Sequence, residues 1–364
     1  MKIDLEQFKF RDKDKANQVL KEIKKADLEL TLMHVCGTHQ DTLVRHGLSP
    51  LLEQVGVTIK QGPGCPVCVT TPREIEEMIT LANQGITITA FGDMIKVPGQ
   101  EHSLYDAKRD GADVRIVYGV DDAVKIAKKE ENEVVFMAVG FETTSPSIAS
   151  AVSKNPPENF TILPCHRVIP PALKAILEMG EVKLDGLIEP GHVSTIIGTK
   201  PYEPISKKYN IPQVVAGFEP LDLLLSVLMI ARQIQQNRAE VENEYGRVVK
   251  AEGNPKALKL LDEVFEPKDI KWRGFPVIPD SGTQLKEKYK DHDARERFQD
   301  ILAPLKNKEF TEPEGCRCGE TLRGIIEPNE CPLFGTECTP AQPVGPCMVS
   351  REGSCNIAYR YDQK

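Results

Sequence analysis

Eight short apolar runs alternate with helical stretches between residues 30 and 235, and this alternation restricts the fold class more than any other feature of the 364-residue chain. The candidate strands are 30–35, 57–60, 86–91, 114–118, 134–139, 161–163, 186–188 and 214–217. Helix signals fill most of the gaps. Thr71-Pro72-Arg73-Glu74 has the form of a capping box with proline at the first helical position, opening a helix to about Asn83. Residues 121–130, 171–179 and 221–238 read similarly, and helical periodicity at 15–27 precedes the first strand. Strands alternating with helices predict parallel sheets flanked by helices. We expect two parallel-sheet α/β domains facing a cleft and dividing near Glu131-Asn132, plus a cysteine-rich domain. The expected limits are 1–29 for an N-terminal helical segment, 30–130 and 131–235 for the α/β domains, and 236–364 for the C-terminal domain.

The reactive residues are not scattered over this pattern. His34-Val35-Cys36-Gly37-Thr38-His39 follows the first strand, and Gly62-Pro63-Gly64-Cys65-Pro66-Val67-Cys68 the second. Phe91-Gly92-Asp93-Met94, Gly140-Phe141-Glu142-Thr143-Thr144, Cys165-His166-Arg167, Glu189-Pro190-Gly191-His192 and Gly217-Phe218-Glu219-Pro220 follow later strands. The C-terminal edge of a parallel sheet is where ligands bind, so these clusters point to one composite site. Cys36 falls where a helix N-terminus would favour thiolate, with His39 one turn on as a second metal donor or an acid–base partner. Cys65 and Cys68 form a C-x-x-C in a strand-to-helix context, which suits dithiol redox chemistry or half of a zinc site. Glu142 offers carboxylate chemistry or simply lies in a threonine-capped turn. Cys165, His166 and His192 are more simply read as structural.

Six of the ten cysteines occupy the last 49 residues: Cys316, Cys318, Cys331, Cys338, Cys347 and Cys355. Turn formers such as Pro343-Val344-Gly345-Pro346 surround them. A segment with so little apolar surface needs cross-links or a metal to hold it together. Thiolates suit zinc and iron–sulfur clusters, but one tetrahedral zinc or one four-iron cluster takes four. The excess of two leaves a redox pair beside a cluster. Spacing alone permits the last four cysteines as ligands.

A formal net charge of -8 argues against nucleic-acid binding. The charged N-terminus lacks the apolar core of a signal peptide, and the longest apolar stretch, 221–231, is too short to span a membrane. A cytoplasmic location is expected, where clustered cysteines serve metal or redox chemistry before structural disulfides.

The motifs MHVCGTHQ at 33–40, GPGCPVC at 62–68, FGDM at 91–94, VGFETT at 139–144, PCHRVIP at 164–170, EPGHVSTIIG at 189–198 and VAGFEP at 215–220, with the six-cysteine terminus, resemble the HypD family of hydrogenase maturation factors. The resemblance implies a scaffold and metallochaperone that helps assemble the Fe(CN)2CO group of nickel–iron hydrogenases, working with a HypC-type chaperone and a HypE-type cyanide donor. It implies that Cys36 holds the iron, with His39 as second ligand, and that Cys65 and Cys68 relay electrons to it. It further implies a [4Fe–4S] cluster on Cys316, Cys331, Cys338 and Cys355, with Cys318 and Cys347 as the spare redox pair. Two rival readings are a stand-alone thiol–disulfide reductase of the ferredoxin:thioredoxin reductase type and a structural zinc protein.

Overall fold

The computed structural model of the chain describes residues 12–361. Eleven strands are present among them: β1 (Leu30–His34), β2 (Val57–Gln61), β3 (Thr87–Ala90), β4 (Val114–Ile116), β5 (Val134–Gly140), β6 (Phe160–His166), β7 (Gly186–Pro190), β8 (Gln213–Ala216), β9 (Val241–Asn243), β10 (Phe265–Lys271) and β11 (Val277–Leu285). All eight expected strands form, and they build two parallel sheets, in the orders β2-β1-β7-β8-β9 and β4-β3-β5-β6.

The strand pairing cuts across the expected limits. Thr87, Ile88 and Thr89 of β3 pair with Val134, Val135 and Phe136 of β5, so the sheets do not divide at Glu131-Asn132. After β2 the chain leaves the first sheet, completes the whole second sheet, and returns with β7. The physical reason lies in β5 itself. Every residue of Val-Val-Phe-Met-Ala-Val-Gly is buried, and a strand apolar on both faces must lie inside a sheet, between two neighbours. The limit at 235 is crossed too, because β9 extends the first sheet by pairing with β8. The antiparallel hairpin β10–β11, unforeseen in the sequence, closes on the end of β6: the N–H of Val168 donates to the Ser281 carbonyl at 2.9 Å.

A buried ionic brace holds the second sheet to its surroundings. Arg167, just after β6, pairs with Glu74 at 2.7 Å, and both side chains are almost wholly buried. Glu74 also accepts from the N–H and hydroxyl of Thr71 at 2.8 Å, the capping interaction expected at the start of the helix Pro72–Asn83. Arg295 pairs with Glu77 on the same helix at 2.8 Å and donates to the Pro164 carbonyl. Burial works against ionisation of Glu74, but the guanidiniums of Arg167 and Arg295 outweigh it and hold its carboxyl at about 2. The PCHRVIP motif is in this part structural. No helix among the described residues is long and apolar enough to cross a membrane.

Candidate functional site

Cys36 leaves β1 in an extended conformation and caps the helix Gly37–Arg45. Its N–H points at His34 Nδ1 at 3.4 Å, while His34 Nε2 meets Gln40 Oε1 at 2.8 Å. The turn behind it is set by Gly64, whose carbonyl accepts the Gly37 N–H at 3.1 Å. A Cβ on Gly64 would lie 2.2 Å from the Cys36 nitrogen, so only glycine lets the ends of β1 and β2 approach this closely. The helix N-terminus does not win at Cys36. Burial pushes its thiol up to about 11, and Glu352 adds to the effect, outweighing the main-chain N–H groups of His39 and Thr38. A cationic metal is the agent able to reverse that balance.

Cys36 lines a pocket of about 290 Å³ together with Thr38, Thr143, His192 and Glu352. The walls come from the C-terminal ends of β1, β2, β5 and β7, so strands of both sheets converge there with the C-terminal segment. His39 does not line this pocket. It is fully buried, 5.2 Å from the Phe218 ring and 6.0 Å from His34, with the main chain of Ala216 and Gly217 beside its ring. Burial first, then His34, lowers it to about 3, so it is held neutral. His192 stacks on the same Phe218 at 3.8 Å and is the imidazole that faces the pocket. Sequence reasoning passed over His192, although its place at a strand end was visible. Glu352 carried no such signal, since it reaches the site only by the return of the C-terminal segment. That return is fixed by the helix Ser354–Tyr361, whose Arg360 pairs with Asp41 at 3.3 Å.

Cys65 and Cys68 are joined as a disulfide, with Cα atoms 5.2 Å apart, and both are wholly buried. Cys65 caps the short helix Pro66–Val69. Cys68 Sγ lies 4.0 Å from the Pro346 carbonyl oxygen, against the cysteine-rich segment.

The six C-terminal thiols gather in one place. Cys316 and Cys318 sulfurs are 3.3 Å apart, and the neighbouring Cys318 and Cys347 lower the Cys355 thiol. Cys331 Sγ is 3.9 Å from the carbonyl of Gly315, beside Cys316, and Cys338 accepts the Val344 N–H at 3.3 Å. A Cβ on Gly345 would lie 2.6 Å from the Cys318 sulfur and 2.7 Å from that of Cys316, so a side chain there would displace both thiols. The contact with Cys318, then burial, raises the Cys316 thiol; burial raises that of Cys338. Among the described residues no three Cys, His, Asp or Glu side chains are arranged around a single metal ion. The fit to a four-iron cluster is one of donor set: soft thiols from one small region, two more than the four such a cluster takes.

Comparison with known proteins agrees with the motifs. The family model described as "HypD: Hydrogenase formation hypA family" matches residues 13–362. A hydrogenase expression/formation protein of Methanocaldococcus jannaschii is 49% identical over 352 residues, covering 96% of this chain and 95% of that one. The hydrogenase maturation factors HypD of Rhodobacter capsulatus and Cupriavidus necator are 41% and 39% identical, each over 97% of this chain and 97% and 96% of their own.

Proposed function

The chain belongs to the HypD family of hydrogenase maturation factors, and on that premise we propose that it is a scaffold on which the Fe(CN)2CO group is assembled at Cys36. The observation that carries this reading is the order of the thiols in space. Cys36 stands in a pocket whose backbone is bonded to the Gly64-Cys65 turn, and Cys68 abuts the segment holding Cys347.

The iron is cargo in this reading. Thiolate and imidazole are the soft and borderline donors that low-spin iron with diatomic ligands requires. Cys36 is the thiolate donor, and His192 the imidazole already facing the pocket. His39 can serve only if the turn after Cys36 rotates it past Phe218, because it is now packed behind that ring. The half-open pocket leaves room for a thiol from a HypC-type chaperone and for delivery of cyanide by a HypE-type donor. A cytoplasmic location belongs to the same proposal.

Cys316, Cys331, Cys338 and Cys355 would hold a [4Fe–4S] cluster. When bound, that group would supply single electrons. The chain's own part is the thiol chemistry. Reduction of the Cys65–Cys68 disulfide takes two electrons and two protons and leaves two thiols, which return both electrons on reoxidation. Cys318 and Cys347, which influence each other and Cys355 electrostatically, would form the second such pair.

Infrared spectroscopy on protein purified anaerobically with its partners tests the proposal. Bound C≡N and C≡O stretches are expected, and Cys36→Ala should remove them while cluster iron and fold persist. An undiminished signature in Cys36→Ala would place the iron on another residue. A cluster without these bands in the wild type would favour the reductase, and zinc without iron the structural protein.

A further inference from the structure

A second cavity of about 510 Å³ opens beside the Cys36 pocket and shares none of its lining residues. The two are back to back: Phe141 and Ile196 face the Cys36 pocket, whereas Glu142 and Ile197 face this one. Its walls are mostly aliphatic, from Val168, Ile197, Leu258 and Leu261, with Phe265 at one side. The volume is that of a small-molecule site.

Two buried polar atoms on its lining residues are unsatisfied among the described residues: Glu142 Oε2 and Arg167 Nε. Glu142 is only 5% exposed and Arg167 1%. Glu142 Oε1 already accepts the Ile169 N–H at 3.0 Å, which leaves its second oxygen over. The terminal nitrogens of Arg167 are committed to Glu74 and to the carbonyls of Cys165 and Lys271, which leaves the Nε–H. The two residues follow adjacent strand ends, since Gly140 and His166 are register partners and the Arg167 N–H donates to the Gly140 carbonyl at 2.9 Å. A buried donor and a buried acceptor left unpaired are each costly, and a ligand matching both would recover that cost.

We infer that this cavity is a second ligand site, taking a neutral molecule with an aliphatic body and a carboxamide head group. The amide carbonyl would accept from Arg167 Nε–H, and the amide N–H would donate to Glu142 Oε2. An anionic head is disfavoured because Glu74 neutralises the guanidinium, and because it would meet the Glu142 carboxyl. At the rim Lys200 and Glu252 face each other at 3.8 Å, adding no net charge. The inference is independent of the thiol chemistry.

Calorimetric titration of the full-length, cluster-containing protein with hexanamide and with hexanoate is the test. One-to-one binding of hexanamide is expected, at least tenfold tighter than hexanoate. Glu142→Leu should erase that preference, whereas Glu142→Gln should keep most of it. Should Glu142→Leu not fold, Leu258→Trp fills the cavity from its wall and should abolish binding without touching Glu142. Equal affinity for the two probes, a preference that survives Glu142→Leu, no saturable binding, or full binding in Leu258→Trp would each overturn the assignment.

Discussion

The sulfur of Cys68 lies 4.0 Å from the main-chain carbonyl oxygen of Pro346, the residue before Cys347. One peptide unit therefore separates the buried C-x-x-C from the C-terminal thiols, although the two are 278 positions apart in sequence. In the proposed relay, electrons crossing so short a gap would need no large motion of the fold. On this geometry, thiol trapping under graded dithiothreitol should show Cys65 and Cys68 reducing together, and Cys65→Ser or Cys68→Ser should block iron loading at Cys36 without lowering cluster iron. Stoichiometric zinc in the wild type, lost in Cys65→Ser, would make this site structural.

Cluster assembly should depend on the four assigned ligands and much less on the spare pair. The proposed cluster predicts a brown chromophore with roughly four irons and four sulfides per chain, and Cys338→Ala or Cys355→Ala is expected to abolish both. Cys347→Ser should keep most of both. Iron and sulfide analysis distinguishes the two classes, and full cluster content in Cys338→Ala would exclude that ligand set.

The strands were legible because their apolar runs are short and bounded by glycine, proline and polar clusters; the sheets were not. Nothing local in 30–61 shows that β1 will pair with β7, some 150 residues on, while the chain builds another sheet in between. The one available signal was β5, too apolar to stand at the edge of a unit starting at residue 131. The β10–β11 hairpin was hidden for a different reason. Pro267 and Pro279 interrupt its strands, and a bulge between Lys268 and Ile270 breaks its alternation. In the site, the thiols were readable from spacing, but Glu352 and the choice between His39 and His192 depend on how Phe218 and the last helix pack.

The Arg167–Glu74 brace should be costly to break and cheap to replace. Arg167→Met leaves Glu74 buried with Arg295 only 3.9 Å away as partial compensation, so a loss of about 3–5 kcal/mol is expected in denaturant unfolding. Glu74→Gln in the same background should recover part of it, because the orphaned charge is gone. A cost under about 1 kcal/mol for Arg167→Met would show that the pair contributes little.

Three wholly buried histidines make stability fall earlier in acid than carboxylates would. Burial lowers His34 to about 4 and both His39 and His166 to about 3, against 6.5 for an unperturbed imidazole. Below pH 6.5 the unfolded chain binds protons that the folded chain refuses. Stability is therefore fully present above about pH 6.5 and declines as pH falls toward the folded values, by about 1.4 kcal/mol per pH unit for each histidine once the unfolded form is protonated. His166 is the cleanest probe, because it lies away from the thiol sites, against Phe265 and Thr283. Replacing it with Gln should flatten the stability profile between pH 6 and 4 by one histidine's slope, measured by urea unfolding at fixed protein concentration. An unchanged slope in His166→Gln would mean that this imidazole titrates freely in the folded protein.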